Sequence, residues 1–188
     1  MESCIRVKML GQCVLEWKGK SVSIAPEKRW ILLLYLLCNR GKLVQKDEII
    51  SALWGDKELA NADNSIRGVV FNLRDAFDIL EKGLGTKVVQ QQFGAYRLSE
   101  EFRIRTDLDE LEDCYREWKV KRVVDKADFL RLEKVIALYK GDVFIGPRES
   151  VWQYVWQGYC RRLYQSLLAY REDLQEQGLL FVKERCVL

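Results

Sequence analysis

The 188-residue chain contains no histidine, and that single gap removes the commonest general base, the Ser-His and Cys-His nucleophile pairs and the commonest metal ligand. Gly83-Leu84-Gly85-Thr86 has glycines but neither the spacing nor the lysine of a phosphate-binding loop. Paired carboxylates such as Glu100-Glu101 fall in segments that read as solvent-facing loops. The six cysteines, Cys4, Cys13, Cys38, Cys114, Cys160 and Cys186, form no C-x-x-C pair. They are expected as reduced, singly buried packing residues rather than metal or redox groups. No catalytic residue, metal or cofactor is predicted. What remains is recognition chemistry, through arginine, asparagine and glutamine side chains. Guanidinium and amide groups can hydrogen-bond phosphates and base edges.

The elements that must hold these groups follow from the pattern. Short alternating runs at Ile5–Leu10, Val14–Trp17 and Ser21–Ile24 predict a small antiparallel sheet. A helix over Glu27–Asn39 carries an apolar face from Trp30, Ile31, Leu33, Leu34 and Leu37, and Gly41 ends it. Leu43-Val44 is a strand fragment, and Lys46-Asp47-Glu48 opens a second helix with Ile49, Ile50, Leu53 and Trp54 inward. Asp63 or Asn64 can cap a third, whose stripe is Ile66, Val69, Val70, Leu73, Phe77 and Leu80. At 100° per residue that stripe turns Asn64, Gly68, Phe71 and Asp75 outward, flanked by Arg67, Asn72 and Arg74. Gly83-Leu84-Gly85 breaks the helix, and Lys87–Gln91 and Ala95–Leu98 flank Gln92-Phe93-Gly94 as a hairpin.

From Asp107 onward only helical stretches are predicted, at 107–119, 126–139, 149–177 and 179–185, with Gly146-Pro147 and Gln177-Gly178 as punctuation. The domain boundary is placed near Arg105, giving residues 1–105 and 106–188. The first part holds 17 Lys/Arg against 13 Asp/Glu and the second 14 against 15, so the basic half is the N-terminal one. The longest apolar stretch, Trp30–Cys38, is about half of a bilayer-spanning helix, and no export signal is read at the N-terminus. A cytoplasmic protein without membrane association is expected.

Three motifs carry a family resemblance. Gly41-Lys42-Leu43-Val44-Gln45-Lys46-Asp47-Glu48-Ile49-Ile50 with Leu53-Trp54-Gly55, then Val69–Arg74, then Gly94-Ala95-Tyr96-Arg97-Leu98 resemble, in order, the second helix, recognition helix and closing hairpin of OmpR/PhoB-type winged-helix domains. The start, Ile5–Gly11, and Ile136-Ala137-Leu138-Tyr139-Lys140-Gly141-Asp142 with Trp152 or Trp156 resemble antibiotic-pathway regulators. Those join the winged helix to a bacterial transcriptional activation domain of tetratricopeptide-like helices. The resemblance implies an α+β winged helix (N-terminal antiparallel sheet, three helices, C-terminal hairpin) followed by an all-α helical domain. It implies no preceding phosphate-accepting receiver, because the first strand begins by residue 5.

The resemblance also implies a function: a non-enzymatic, DNA-binding transcriptional regulator whose third helix enters the major groove while the hairpin reaches the minor groove. Carried over by position, Asn64, Arg67, Asn72 and Arg74 and the hairpin's Gln90, Gln92 and Arg97 would touch double-stranded promoter DNA. Arg74 alone keeps the family's charge among the three principal helix positions. The helical domain would contact RNA polymerase or another protein, with a possible homodimer. Residues 63–81 contain Arg67 and Arg74 against Asp63, Asp75, Asp78 and Glu81, a net of −2, so this helix is expected to repel phosphate. The alternative is therefore a winged helix that binds protein, with Phe71 at its interface. Trp152 and Trp156, on a helix rich in Trp and Tyr, serve either the packing of stacked helices or a partner groove.

Overall fold

The computed structural model describes residues 4–144 and 150–176. The expected helix at 179–185, the Gly146-Pro147 and Gln177-Gly178 breaks, and Cys186 lie outside the described residues. Strands β1 (Cys4–Lys8), β2 (Val14–Trp17) and β3 (Lys20–Ser23) form the expected antiparallel meander. A fourth strand, β6 (Arg103–Thr106), pairs parallel to β1, so the sheet runs β3-β2-β1-β6 and is mixed rather than wholly antiparallel. Arg103-Ile104-Arg105 alternates over too few residues to stand out in the sequence, and only β1 shows where it pairs.

Helix α1 (Lys28–Cys38) sits at the centre: Trp30, Leu32, Leu33, Leu34, Leu36 and Leu37 are all buried, more than one face of a helix. Helix α2 (Lys46–Trp54) begins where the Glu48 carboxylate accepts the Gln45 N–H at 2.7 Å. Helix α3 (Ala62–Leu80) is capped by Asn61, whose Oδ1 accepts the Asn64 N–H at 3.0 Å. The cap is thus two residues or more ahead of the predicted Asp63 or Asn64, which places Asn64 inside the first turn.

The segment read as a break and then a strand is a short helix, α4 (Leu84–Val88). Gly85 allows it: a Cβ there would lie 2.2 Å from the Arg74 carbonyl oxygen, so only glycine lets α4 press against α3. The Asp78 carboxylate accepts the Gly85 N–H at 2.6 Å, and Leu84 and Val88 are buried. The hairpin of β4 (Val89–Gln92) and β5 (Ala95–Leu98) follows, and Val44 bridges to Tyr96, confirming the strand fragment. Phe93 and Gly94 both have positive φ, 50° and 80°, the requirement of a two-residue type I′ turn.

Beyond β6 the described residues are helical: α5 (Asp107–Val120), α6 (Lys126–Ile136) and α7 (Val151–Glu176) pack on one another. Helix α6 stops three residues short of the expected Tyr139. A single apolar cluster runs from Ile5 through Leu33, Leu73 and Leu111 to Leu174. The joint between the sheet domain and the helices is polar at its centre. Asp107, buried at the start of α5, accepts the Met9 and Leu10 N–H groups, each at 3.0 Å. The Leu10 carbonyl accepts the Lys140 N–H at 3.0 Å, and the Gly11 N–H donates to the Asp142 carbonyl at 3.2 Å. Gly11 (φ 76°) permits that approach, since a Cβ would come within 2.4 Å of the Gly141 nitrogen.

Cysteine behaviour is mixed. Cys114 and Cys160 are buried and burial pushes their thiols up, to about 11 and about 12; Cys38 is exposed as a residue, yet burial of its sulfur pushes that thiol up as well. No helix among the described residues is long and apolar enough to cross a membrane.

Candidate nucleic-acid interface

Helix α3 buries Ile66, Val70, Leu73, Ala76, Phe77 and Leu80. With that stripe fixed inward, Asn64, Arg67, Phe71, Asn72 and Asp75 are exposed. Phe71 keeps 69% of its surface in water. These are the positions that the amphipathic pattern turns outward, so the sequence locates this face correctly.

Arg74 stands apart. It is half-buried, and its Nε and one Nη donate to the Val89 carbonyl at 3.0 and 2.7 Å. Val89 is the first residue of β4, so Arg74 fastens the base of the hairpin to α3. Arg74 therefore holds α3 and the hairpin in relation to each other. Gln90 and Arg97 are likewise engaged within the hairpin. Arg97 Nε donates to Gln90 Oε1 and Gln90 Nε2 to Ser99 Oγ, both at 3.2 Å. Gln91 and Gln92 are exposed near the tip, where Phe93 is 90% exposed. Phe93's place in the turn follows from the hairpin pattern, but its left-handed backbone does not, because Phe-Gly lacks the Asn-Gly or Asp-Gly signature of such turns.

The charge count of α3 misjudged the surface. Lys46 from α2 pairs with Asp63 at 2.6 Å, and that lysine holds the Asp63 carboxyl below the usual carboxylate range. Lys18 pairs with Glu81 at 2.7 Å, Trp17 Nε1 donates to the same carboxylate at 2.9 Å, and both hold it low. Asp78 receives the Gly85 N–H. Three of the four carboxylates thus have partners inside the fold, and the outer face presents Arg67 with Asp75. The expected repulsion of phosphate is corrected to near neutrality, since the compensating lysines lie in other elements.

Trp152 and Trp156 are half-buried at the junction of the two regions. Trp152 Nε1 and Ser150 Oγ both donate to the Ala52 carbonyl of α2, at 3.0 and 2.8 Å. The Trp152 ring meets Tyr35 of α1 edge-on at 5.0 Å, and Phe144 packs edge-on against both tryptophans at 5.2 and 5.9 Å. These contacts seat α7 on the winged helix. Among the described residues no group of His, Cys, Asp or Glu is arranged to hold a metal ion.

A family model agrees with the N-terminal part of this architecture. Residues 19–90, from β3 into the hairpin, match the family model described as "Transcriptional regulatory protein, C terminal". This stretch is similar to the winged helix of OmpR/PhoB-type transcriptional regulators, and in this chain a helical region follows it. No curated protein matches the chain. Among solved structures the chain is similar to Mycobacterium tuberculosis EmbR in complex with a low affinity phosphopeptide, at 21% identity and a TM-score of 0.49. That similarity covers 95% of this chain and 43% of EmbR, so the chain spans less than half the length of that protein.

Proposed function

We propose that the chain is a cytoplasmic, non-enzymatic transcriptional regulator that docks α3 in the major groove of promoter DNA and sets the β4–β5 hairpin at the neighbouring minor groove. The observation that carries the reading is the exposed row of Asn64, Arg67 and Asn72 on α3, within the residues that match the regulator family, beside a hairpin offering Gln91 and Gln92. Asparagine and glutamine bind adenine edges bidentately, and arginine binds guanine or phosphate. Contacts are mainly amide hydrogen bonds, so affinity depends only weakly on salt. Two copies bind repeated half-sites as a homodimer, and the helical region contacts polymerase or a partner protein. Fluorescence anisotropy with duplex from the native upstream region tests this: wild type binds at low salt and Arg67→Ala binds more weakly at unchanged stability.

A second reading, a protein-binding winged helix, is favoured by Phe71 and Phe93, the two aromatic side chains left most exposed on α3 and the hairpin. It predicts no duplex binding at low salt and loss of a specific partner in a Phe71→Glu pull-down. An unchanged partner set counts against it.

A further inference from the structure

On the outer face of the sheet, away from the residues assigned to DNA, four arginines converge on one cavity. Ile5 and Val7 of β1 are buried, so alternation turns Cys4 and Arg6 to the opposite face. In β6 the same alternation places Arg103 and Arg105 outward. The parallel register sets Arg6 beside Arg105 and Cys4 beside Arg103. Helix α6 adds Arg131 and helix α5 adds Glu110 and Asp113, and with Val135 these residues enclose about 450 Å³. The lining carries four guanidinium groups against two carboxylates, an excess of two positive charges.

Like charges on neighbouring strands destabilise a sheet, and this arrangement concentrates them. Some are steadied internally: Arg105 pairs with Asp113 at 2.6 Å and Arg131 with Glu117 at 2.6 Å. Arg6 is exposed and makes no hydrogen bond or ion pair among the described residues. Glu110 is half-buried and, among the described residues, makes no hydrogen bond or close ion pair, interacting with Arg105 only through its charge. The pocket thus holds an anchored guanidinium, Arg105, beside an unengaged one, Arg6, and a carboxylate able to accept hydrogen bonds from a ligand.

We propose that this pocket binds a small phosphate monoester bearing hydroxyl groups, a sugar phosphate in chemical class. Planar guanidinium forks match phosphate oxygens bidentately. Glu110 accepts the ligand's hydroxyls. No aromatic side chain lines the cavity, so a nucleobase would have nothing to stack on. The volume suits a ligand of this size.

The test is thermal unfolding and isothermal titration of the whole chain with glucose 6-phosphate, inorganic phosphate, adenosine monophosphate, a phosphoserine peptide and sodium chloride at matched ionic strength. Glucose 6-phosphate should raise Tm by roughly 5–10 °C at about a hundredfold above its Kd. Inorganic phosphate should act more weakly and chloride not at all. Arg6→Gln should abolish the shift while leaving the unliganded Tm equal or higher, because it removes a like-charge neighbour. Arg131→Gln gives an independent second loss. Glu110→Gln should reduce the preference for glucose 6-phosphate over inorganic phosphate. The proposal is overturned if chloride reproduces the shift or if wild type binds none of the phosphates. It is equally overturned if the nucleotide or peptide binds more tightly than the sugar phosphate, or if Arg6→Gln weakens duplex DNA binding in parallel.

Discussion

Arg74 shows how a single side chain can change meaning between a sequence and a fold. Its place beside the outward face of α3 is readable from periodicity. Its partner is not, because a carbonyl 15 residues away leaves no mark in the pattern. Since two guanidinium hydrogen bonds satisfy a buried backbone oxygen, Arg74→Ala should lower unfolding free energy by about 1–3 kcal/mol in urea titrations. DNA affinity should fall with it, through loss of the hairpin's position. Arg67→Ala should do the reverse: an unchanged urea midpoint, lower affinity and a salt slope smaller by about 1 per bound copy. Equal stability for wild type and Arg74→Ala would refute the tethering role. The pattern places Phe93 in the hairpin's turn but does not give its left-handed backbone, since its residue type does not announce that turn.

At the level of elements, strong stripes were legible and weak ones were not. Helices α1, α2, α3, α5 and α7 follow from their apolar spacing. Strand β6 and helix α4 do not, because each has few residues and is made by its neighbours: β6 by the edge of β1, α4 by the glycine contact at Arg74. The junction between sheet and helices belongs here too. Burial raises the Asp107 carboxyl to about 6, outweighing the backbone N–H groups of Leu10, Met9 and Leu108 that pull it down. The folded chain therefore binds a proton that the unfolded chain releases between pH of about 4 and about 6. Stability should fall as pH rises through that window, by about 2–3 kcal/mol from this group, and level off above it. Asp107→Asn should flatten this component. Urea unfolding of both proteins from pH 4 to 7 checks it, and a wild-type curve that rises relative to the variant contradicts it.

Across the whole molecule, the order winged helix then helical region was legible from motif order, whereas the way the two parts join was not. The joint depends on Gly11, Asp107, Asp142 and Trp152, residues far apart in the chain whose meeting only the fold reveals. The same holds for surface charge: α3 alone counts as acidic, but Lys18 and Lys46 neutralise it from other elements. The central claim is that this near-neutral face reads DNA through amides with few ionic contacts. The most direct test is anisotropy of a native upstream duplex titrated across salt. One Arg67 contact from each of two copies predicts a slope of log K against log salt of about −2. Absence of binding at low salt, or a slope steeper than about −8, would contradict the account.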